Sequence, residues 1–469
     1  MMYIKVNKQN FGEVLEILEK QFEECDYVIF DLEFGGLKLR KGQADKKFDD
    51  YQIRHLKKLL TAKSFPVFQI GFTLFFKENK EITYEFDLMK DNLKSNEITF
   101  MDLQAIKYLR RNGFDFNRII DNGIPYMNPS ELKEIVEERE IQMKQKINDP
   151  VYHKIYVTID ECIEKEMKEF VVTPNNDYVM KCIFQKYGKQ VNCYINDYII
   201  VKTRDEHGGK ALKFVKCQDQ HKDVLKREFE KMLGFTKVIQ LISERKIPIV
   251  GFNCMLDLYY IYQKFIADVP PTFPEFQKVL MENFQKIYDV GHIMRERTVA
   301  TCFQKRRVSS LESVYEFLVE KKFVKEIKST GFHNAGFDSQ VTGYVFRWCC
   351  SKFVEGPVPF NVMFNYRGKP IYLDKPEPKR EIRNMFIVER KRDLNVYRKI
   401  FSHYGIPYEQ IIDENFCYYQ VSVVDAFSLP KPWNEIVSEV TSDEDIHKWE
   451  EGKKLLIDYM KTFTNLFNC

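Results

Sequence analysis

The sequence of 469 residues predicts an α/β protein in which a mixed β-sheet is flanked by helices. The strongest signal is Tyr27–Phe30, four large apolar residues in a row, which is typical of a strand buried on both faces near the centre of a sheet. Three more apolar runs, Phe65–Phe76, Ile82–Met89 and Ile247–Phe252, are typical of further strands, and segments with helical spacing precede Tyr27 and Ile247. This alternation favours one large sheet covered by helices.

The composition is that of a globular protein without a strong charge bias. Hydrophobic residues make up 44% of the chain and aromatic residues 14%, which excludes general disorder. Because the formal net charge is only +3, a polyanion would have to bind in a local basic groove. The eleven cysteines are scattered without a C-x-x-C pair, as expected of reduced thiols inside cells. Met1–Glu24 is charged and no run of about 18 apolar residues occurs, so we expect a soluble protein, nuclear and/or cytoplasmic, without a membrane anchor.

Changes in charge and hydrophobic pattern along the sequence predict four parts. The first part, residues 1–149, is expected to end where a proline breaks a strongly charged helix. Residues 150–219 favour a small α+β insert, and residues 220–356 continue the first part. Residues 357–469 contain a β-α-β pattern, whose elements are Met385–Val388, Leu394–Tyr404 and Phe416–Val424.

Capping signals predict several helix ends. Gly113 has the position of a left-handed cap after a helix that starts near Phe100. Asn128 precedes a first-turn proline and an acid, which is the pattern of a helix N-terminus. Asn253 and Ser310 are expected to cap the helices that follow them.

Two carboxylates follow the first buried strand. Asp31 and Glu33 are two positions apart, and side chains alternate along a strand, so both point to the same side. Neighbouring carboxylates repel each other unless a positive charge lies between them, and hard divalent cations with oxygen ligands are the usual solution. Taken alone, Asp31 and Glu33 could also be two surface acids at the end of a strand, without any role in metal binding.

Three further residues extend this pattern. Asp257 lies in the first turns of a helix just beyond a strand end, where ligands of α/β sheets usually bind. His333 precedes another helix, and Asp338 lies within it. Four carboxylates can hold two cations for phosphodiester hydrolysis, and a neutral imidazole can accept a proton from the attacking water. Alone, Asp257 also fits an acid favoured by the helix dipole, and His333 a hydrogen-bonded loop residue. The three motifs occur in the order D-x-E, G-x-N-x-x-x-D and H-x-x-x-x-D. Together they indicate a two-metal nuclease far more specifically than any one of them does.

With these motifs the sequence resembles the DEDDh 3′-exonucleases and, among them, the poly(A)-specific ribonuclease group of deadenylases, which includes the related piRNA-trimming enzymes. The residues that carry the resemblance are Phe30–Leu37, Gly113–Asn117, Asn122–Tyr126, Ile249–Asp257 and His333–Asp338. The second and third of these stretches have no catalytic chemistry of their own, but they distinguish this group from other nucleases of the class. The similarity covers nearly the whole chain and is strongest over residues 25–145 and 220–350.

The resemblance implies an RNase H-like exonuclease fold and two Mg²⁺ ions per active site, for which Mn²⁺ can substitute. The metal ligands that it implies are Asp31, Glu33, Asp257 and Asp338. It also implies that His333 is the general base. The residues implied to contact RNA are Phe34, Leu37 and Phe116, and for the first two core packing is an equally good explanation.

Three departures from the family pattern affect what we expect of binding. The family's insert is a small nucleic-acid-binding domain with an Arg-x-x-x-His signature, which Tyr178–Tyr187 lacks. Phe252 replaces a histidine of better-known relatives before Asp257. The C-terminal part resembles an RNA-recognition-type region, but Glu409–Asp413 lacks the tryptophan on which the deadenylase stacks an RNA cap, so we expect no cap recognition.

We therefore interpret the chain as a magnesium-dependent 3′→5′ exoribonuclease, either a deadenylase or a trimmer of small-RNA 3′ ends. Its partner would be the 3′ end of single-stranded RNA, such as poly(A) or a small-RNA precursor. A homodimer is implied by the resemblance alone. The alternatives are a 3′ exonuclease that acts on DNA and a non-catalytic RNA-binding scaffold.

Overall fold

The structure is a computed structural model that describes residues 2–38, 50–77, 80–90, 99–133, 153–174, 177–187, 194–195, 198–205, 208–216, 233–303, 310–327, 331–354, 356–365, 370–376, 385–389, 408–412, 416–421 and 438–439. Its strands are β1 Met2–Val6, β2 Tyr27–Phe34, β3 Val67–Phe75, β4 Glu81–Met89, β5 Ile124–Pro125, β6 Glu169–Val172, β7 Tyr194–Ile195, β8 Tyr198–Arg204, β9 Lys210–Lys216, β10 Ile249–Gly251, β11 Ile287–Asp289, β12 Val362–Met363, β13 Ile371–Tyr372, β14 Met385–Glu389, β15 Tyr408–Ile412, β16 Phe416–Val421 and β17 Ser438–Glu439. Its helices include α1 Phe11–Glu24, α2 Tyr51–Ser64, α3 Leu103–Arg111, α4 Phe116–Asn122, α5 His153–Glu164, α6 Asp177–Tyr187, α7 Thr236–Glu244, α8 Met255–Phe265, α9 Phe273–Asn283, α10 Val290–Ile293, α11 Arg297–Ala300, α12 Leu311–Glu320 and α13 Ala335–Cys350.

A mixed sheet, nine-stranded over the described residues, forms the centre of the molecule. Its order is β1-β4-β3-β2-β10-β11-β12-β13, and β5 pairs with β4. Strand β2 pairs antiparallel with β3 and parallel with β10, so it lies inside the sheet. Val28, Ile29 and Phe30 are at most 2% exposed, as the apolar run predicted. The prediction of a mixed sheet flanked by helices is confirmed.

The two faces of this sheet differ in chemistry. Phe30 and Leu32 of β2 point into a large apolar core that also contains side chains of α1, α7, α8 and α9. The period of two in a strand places Ile29, Asp31 and Glu33 on the opposite face. Helix α13 covers this second face, with its apolar residues packed on Ile29. The two acids are therefore partly buried on the face that α13 covers.

Strand β3 is in unusually close contact with the start of α13. A Cβ atom on Gly71 would lie 1.8 Å from the carbonyl oxygen of Ala335, so only glycine fits there. Nearby, the Thr73 hydroxyl lies 3.0 Å from that of Thr83 and 2.9 Å from that of Ser339. The absence of a side chain at Gly71 and the hydroxyl contacts of Thr73 thus allow α13 to pack closely on this part of the sheet.

Two further sheets lie outside the central one. Strands β6-β9-β8-β7 form an antiparallel sheet whose apolar side packs against α5 and α6, so residues 153–216 share a core of their own. The C-terminal strands form a sheet in the order β15-β16-β14-β17, with antiparallel pairs throughout. That order is the one expected of a β-α-β-β-α-β region. The predicted helix Leu394–Tyr404 and the break near residue 149 lie outside the described residues, and the division into four parts stays a prediction.

Several capping predictions are confirmed. Gly113 has a φ of +85° after α3. The Ser130 N–H donates to Asn128 Oδ1 over 2.8 Å, and the Ser313 N–H donates to Ser310 Oγ over 3.2 Å. None of the described helices is long and apolar enough to cross a membrane.

The sequence analysis missed several elements, among them β1 and α2. Among the described strands, β1 pairs with β4 alone, and four of its five residues are exposed or partly exposed, so it carries no apolar run. Helix α2 is buried on nearly all sides, including Arg54 and His55, so its sequence lacks an apolar and a polar face.

The contact at Gly71 yields a first prediction. Gly71→Ala should lower the free energy of unfolding by roughly 1–3 kcal/mol, because the opposing atom belongs to the backbone of a packed helix. Gly12→Ala in α1, with nothing within 4 Å of the added methyl group, should be neutral or stabilising by about 0.5–1 kcal/mol. Urea unfolding measures both. Equal stabilities of the two variants would contradict the close packing of α13.

Candidate active site

Asp31 and Glu33 lie opposite two small or amide residues of β3. The register pairs Asp31 with Gly71 and Glu33 with Gln69. Directly paired residues of antiparallel strands share a face, so Gly71 leaves space above Asp31 for the start of α13. Gln69 Oε1 accepts a hydrogen bond from the N–H of Ala335 over 3.0 Å. The Gln-Ile-Gly sequence of β3 therefore brings α13 onto the strand that carries both acids.

Asp257 is the third residue of α8, at the same edge of the sheet. Strand β10 runs parallel to β2, so both strands end on this side. Asn253 is not the helix cap that was predicted, because Cys254 lies between it and α8. With a φ of +52°, Asn253 makes the left-handed turn between strand and helix, a conformation that asparagine tolerates. Its N–H donates to Asp289 Oδ1 over 2.8 Å.

Asp289 is a buried acid that joins three strand ends. Its Oδ1 accepts from the N–H groups of Asn253 and Gly291 (2.9 Å), and its Oδ2 accepts from the N–H of Phe364 over 2.7 Å. Burial raises the pKa of Asp289 to about 6, although these hydrogen bonds oppose the rise. The sequence analysis did not single out this residue. An acid at a strand end, as at Asp31, was the signal available.

His333 and Asp338 meet at the start of α13. His333 has a φ of +67°, and this left-handed backbone directs its N–H onto Asp338 Oδ2 over 2.9 Å. Asn334 caps the helix, because its Oδ1 accepts from the N–H of Phe337 over 3.0 Å. Glu33, His333 and Asp338 each offer one potential ligand atom, and these atoms lie within 4.8 Å of one another.

The four predicted carboxylates form one electrostatic cluster. Burial, followed by the charges of Asp338, Glu33 and Asp257, raises the pKa of Asp31 well above its ordinary range. Burial raises the pKa of Glu33 for the same reason, with Asp338 and Asp257 adding to the rise. The pKa values of Asp257 and Asp338 rise to about 7, mainly because of burial. No described lysine or arginine forms an ion pair with any of them.

The donor set suits a hard divalent cation. It consists mainly of carboxylate oxygens, which Mg²⁺ and Mn²⁺ prefer as ligands. Asp338 Oδ1 is buried and has no hydrogen-bond partner among the described residues. A buried carboxylate oxygen without a partner is costly unless a positive charge approaches it. The cluster therefore fits a bound cation better than it fits any pairing within the chain.

Two residues beside His333 were missed by the sequence analysis. The Tyr108 hydroxyl lies 2.6 Å from His333 Nε2, and the two rings meet edge to face at 4.7 Å. Burial lowers the pKa of His333, and the nearby Glu312 partly opposes this. Neither residue stands next to a motif in the sequence, since Tyr108 lies on α3 and Glu312 on α12.

The three residues expected to contact RNA differ in exposure. The ring of Phe34 stacks on that of Tyr260 at 4.3 Å and packs against the core. The ring of Phe116 packs edge to face on Phe68 at 5.4 Å. Leu37 is 63% exposed, so it is the one of the three with most of its surface available. Packing accounts for the positions of Phe34 and Phe116, and RNA contact stays a prediction for all three.

A polar network beneath α13 supports the loop that carries His333. The Tyr3 hydroxyl donates to Glu85 and lies 2.8 Å from Asn334 Oδ1. Asn334 Nδ2 donates to Glu85 over 2.9 Å. Arg118 donates to Glu85 over 3.0 Å and to Asp87 over 2.8 Å. The network therefore links β1, β4 and α4 to the residue next to His333.

The comparisons with known proteins agree with this geometry. The profile of the CAF1 family ribonucleases matches residues 6–346. The chain belongs to the CAF1 family of ribonucleases. It is 22% identical over 387 residues to the pre-piRNA 3′-exonuclease trimmer of Bombyx mori, covering 73% of this chain and 70% of that protein. It is 25% identical over 406 residues to the poly(A)-specific ribonuclease PARN of Xenopus laevis, covering 73% of this chain and 62% of that protein.

A structure of S. pombe Pop2p in its Mg²⁺- and Mn²⁺-bound form aligns with a TM-score of 0.41 and 14% identity over 76% of this chain and 96% of that chain. The family membership confirms the resemblance predicted from the sequence and, together with the mixed sheet, the RNase H-like fold class. It also confirms, at the level of the family, the prediction of an exoribonuclease.

The crowded carboxylates yield a second prediction. The pKa of Asp257 rises from 3.8 to about 7 on folding, so between these values the folded protein binds more protons than the unfolded chain. In EDTA, stability should therefore fall as the pH rises from about 4 to about 7. Asp257→Asn should flatten this fall, and Mg²⁺ at pH 7.5 should raise the unfolding temperature of the wild type more than that of the variant.

Thermal unfolding in EDTA and in Mg²⁺ tests this prediction. Asp121→Asn, at an exposed acid of α4, is the control and should behave as the wild type. A pH profile of Asp257→Asn that matches the wild type would mean that folding does not raise the pKa of Asp257.

Proposed function

We propose that the chain is a magnesium-dependent exoribonuclease that removes nucleotides stepwise from the 3′ end of single-stranded RNA. The observation that carries this proposal is the convergence of four carboxylates and one imidazole at one edge of the sheet, in a member of the CAF1 ribonucleases. These residues are Asp31, Glu33, Asp257, Asp338 and His333.

The four carboxylates would hold two Mg²⁺ ions, with Mn²⁺ as a substitute. Bound cations at such a site lower the pKa of a water molecule and stabilise the charge of the departing oxygen. The chain contributes the arrangement: β2 supplies Asp31 and Glu33, α8 supplies Asp257, and α13 supplies Asp338. The support is the raised pKa of each carboxylate and the partnerless Oδ1 of Asp338.

His333 would accept the proton of the attacking water. Burial lowers the pKa of its imidazole, so the ring is neutral near pH 7 and has a lone pair to offer. As the proton moves to the imidazole, the water oxygen forms a bond to the terminal phosphorus. The bond from this phosphorus to the 3′ oxygen of the remaining RNA breaks. The released nucleotide then carries a 5′ phosphate.

The substrate would be an RNA 3′ end, either poly(A) or a small-RNA precursor. The names of the two relatives, a poly(A)-specific ribonuclease and a pre-piRNA 3′-exonuclease trimmer, support both. Leu37 would contact the terminal bases, since it follows the acid-bearing strand and is exposed. Phe34 and Phe116 would form the rest of this contact. A homodimer and a nuclear and/or cytoplasmic location stay predictions from the sequence.

The third prediction tests the metal ligands. The wild type should shorten a 5′-labelled oligo(A) stepwise in Mg²⁺ and not in EDTA. Asp31→Asn should abolish the reaction without loss of fold, because it removes one ligand from the cluster. Product ladders on denaturing gels, with a DNA oligomer in parallel, provide the measurement. Near wild-type turnover of Asp31→Asn would refute the two-metal assignment, and binding without cleavage by the wild type would favour an RNA-binding scaffold.

The fourth prediction concerns His333. His333→Gln should lower the single-turnover rate by about 10²–10⁴-fold, the usual contribution of one general base. RNA affinity, measured by fluorescence anisotropy in Ca²⁺, should stay close to that of the wild type. A parallel loss of affinity and rate would assign His333 a structural role in the loop.

A further inference from the structure

Tyr108 lies in the candidate active site, although no motif contains it. Its hydroxyl is 2.6 Å from Nε2 and 3.4 Å from Nδ1 of His333. The tyrosine ring meets the imidazole edge to face at an interplanar angle of 70°. The side chain is 50% exposed, so core packing does not explain where its hydroxyl lies.

Helix α3, which carries Tyr108, is attached to the strand that carries Asp31 and Glu33. The Asp102 N–H donates to the carbonyl oxygen of Gly35 over 2.7 Å, and Asp102 caps α3 by accepting from the N–H of Gln104. Leu109, the next residue after Tyr108, is 3% exposed in a small apolar cluster with Phe68 and Phe114. Tyr108 is thus held at a constant position relative to the end of β2.

The contacts of the His333 backbone do not fix the orientation of its imidazole, so the ring needs a contact from another part of the chain. The backbone of His333 is left-handed, and its N–H is already bonded to Asp338. The following residue, Asn334, is held by Tyr3 and Glu85. These bonds hold the backbone of the loop, but they leave the imidazole free to rotate about its side-chain torsions. Among the described residues, the hydrogen bond to the imidazole nitrogens comes from Tyr108.

We propose that Tyr108 is a positioning residue whose hydroxyl holds the His333 imidazole within reach of the Glu33 and Asp338 carboxylates. The inference rests on the proposed function, because it assigns a task to Tyr108 in the same reaction. The hydrogen bond to one ring nitrogen also determines which nitrogen carries the proton and which is free to act as a base. Displacing a reacting group by a small distance can cost on the order of 100-fold in rate.

The test compares Tyr108→Phe with Tyr84→Phe. Tyr108→Phe removes the hydroxyl and keeps the ring. Tyr84→Phe removes a hydroxyl that bonds Gln21 over 2.8 Å on the opposite face of the sheet, so it controls for the loss of any tyrosine hydrogen bond. With labelled oligo(A) and Mg²⁺, Tyr108→Phe should lower kcat by about 10- to 100-fold with KM unchanged. Tyr84→Phe should retain the wild-type kcat, and thermal unfolding should show that Tyr108→Phe is folded.

A second readout does not depend on activity. The chain has eight histidines, and the ¹⁵N signals of the His333 ring can be assigned by their absence in His333→Gln. Tyr108→Phe should shift these signals, and Tyr84→Phe should leave them unchanged. An unchanged or faster kcat in Tyr108→Phe, or unchanged ring signals, would overturn the inference. If the wild type does not degrade oligo(A), the proposed function fails, and the ring signals alone decide whether Tyr108 holds His333.

Discussion

The contact between the start of α13 and strand β3 is the constraint on which the candidate site depends. Gly71 has no side chain, so the carbonyl group of Ala335 can lie where a Cβ atom would otherwise be. Because Gly71 is paired with Asp31, the same contact brings Asp338 and His333 over the two acids of β2. A helix seated even one side chain farther away would leave the ligand atoms too far apart to share a cation.

Bringing the four acids together is electrostatically unfavourable. Burial raises the pKa values of Asp31, Glu33, Asp257 and Asp338, and the charges of neighbouring acids of the cluster add to the rise at Asp31 and Glu33. No described basic side chain forms an ion pair with any of the four. Elsewhere on the same face of the sheet, buried acids do have partners: Arg118 forms ion pairs with Glu85 and Asp87 of β4. The contrast between these paired acids and the unpaired acids of the cluster favours a site for an external cation over a structural ion pair.

Much of the site could be predicted from the sequence because its residues follow local rules. Asp31 and Glu33 end a recognisable strand, and Asp257 follows another. The spacing of His333 and Asp338 forms a motif with them. The residues that the sequence did not reveal belong to distant segments. Tyr108 of α3 contacts His333, and Gln69 of β3 contacts Ala335 at the start of α13. Buried helix α2 was missed for a related reason, because periodicity is visible only when one side of a helix faces water.

Residues 113–126, which contain two of the stretches that carry the family resemblance, have a structural role although they hold none of the candidate catalytic residues. Asp115 caps α4 and so directs Arg118 toward the buried carboxylates of Glu85 and Asp87. Glu85 in turn holds Asn334, the neighbour of His333. Removing one partner of a buried ion pair leaves the other charge uncompensated, which costs more than the pair contributes. We therefore expect a substitution of Arg118 in α4 to disturb the loop of His333, because Glu85 connects the two.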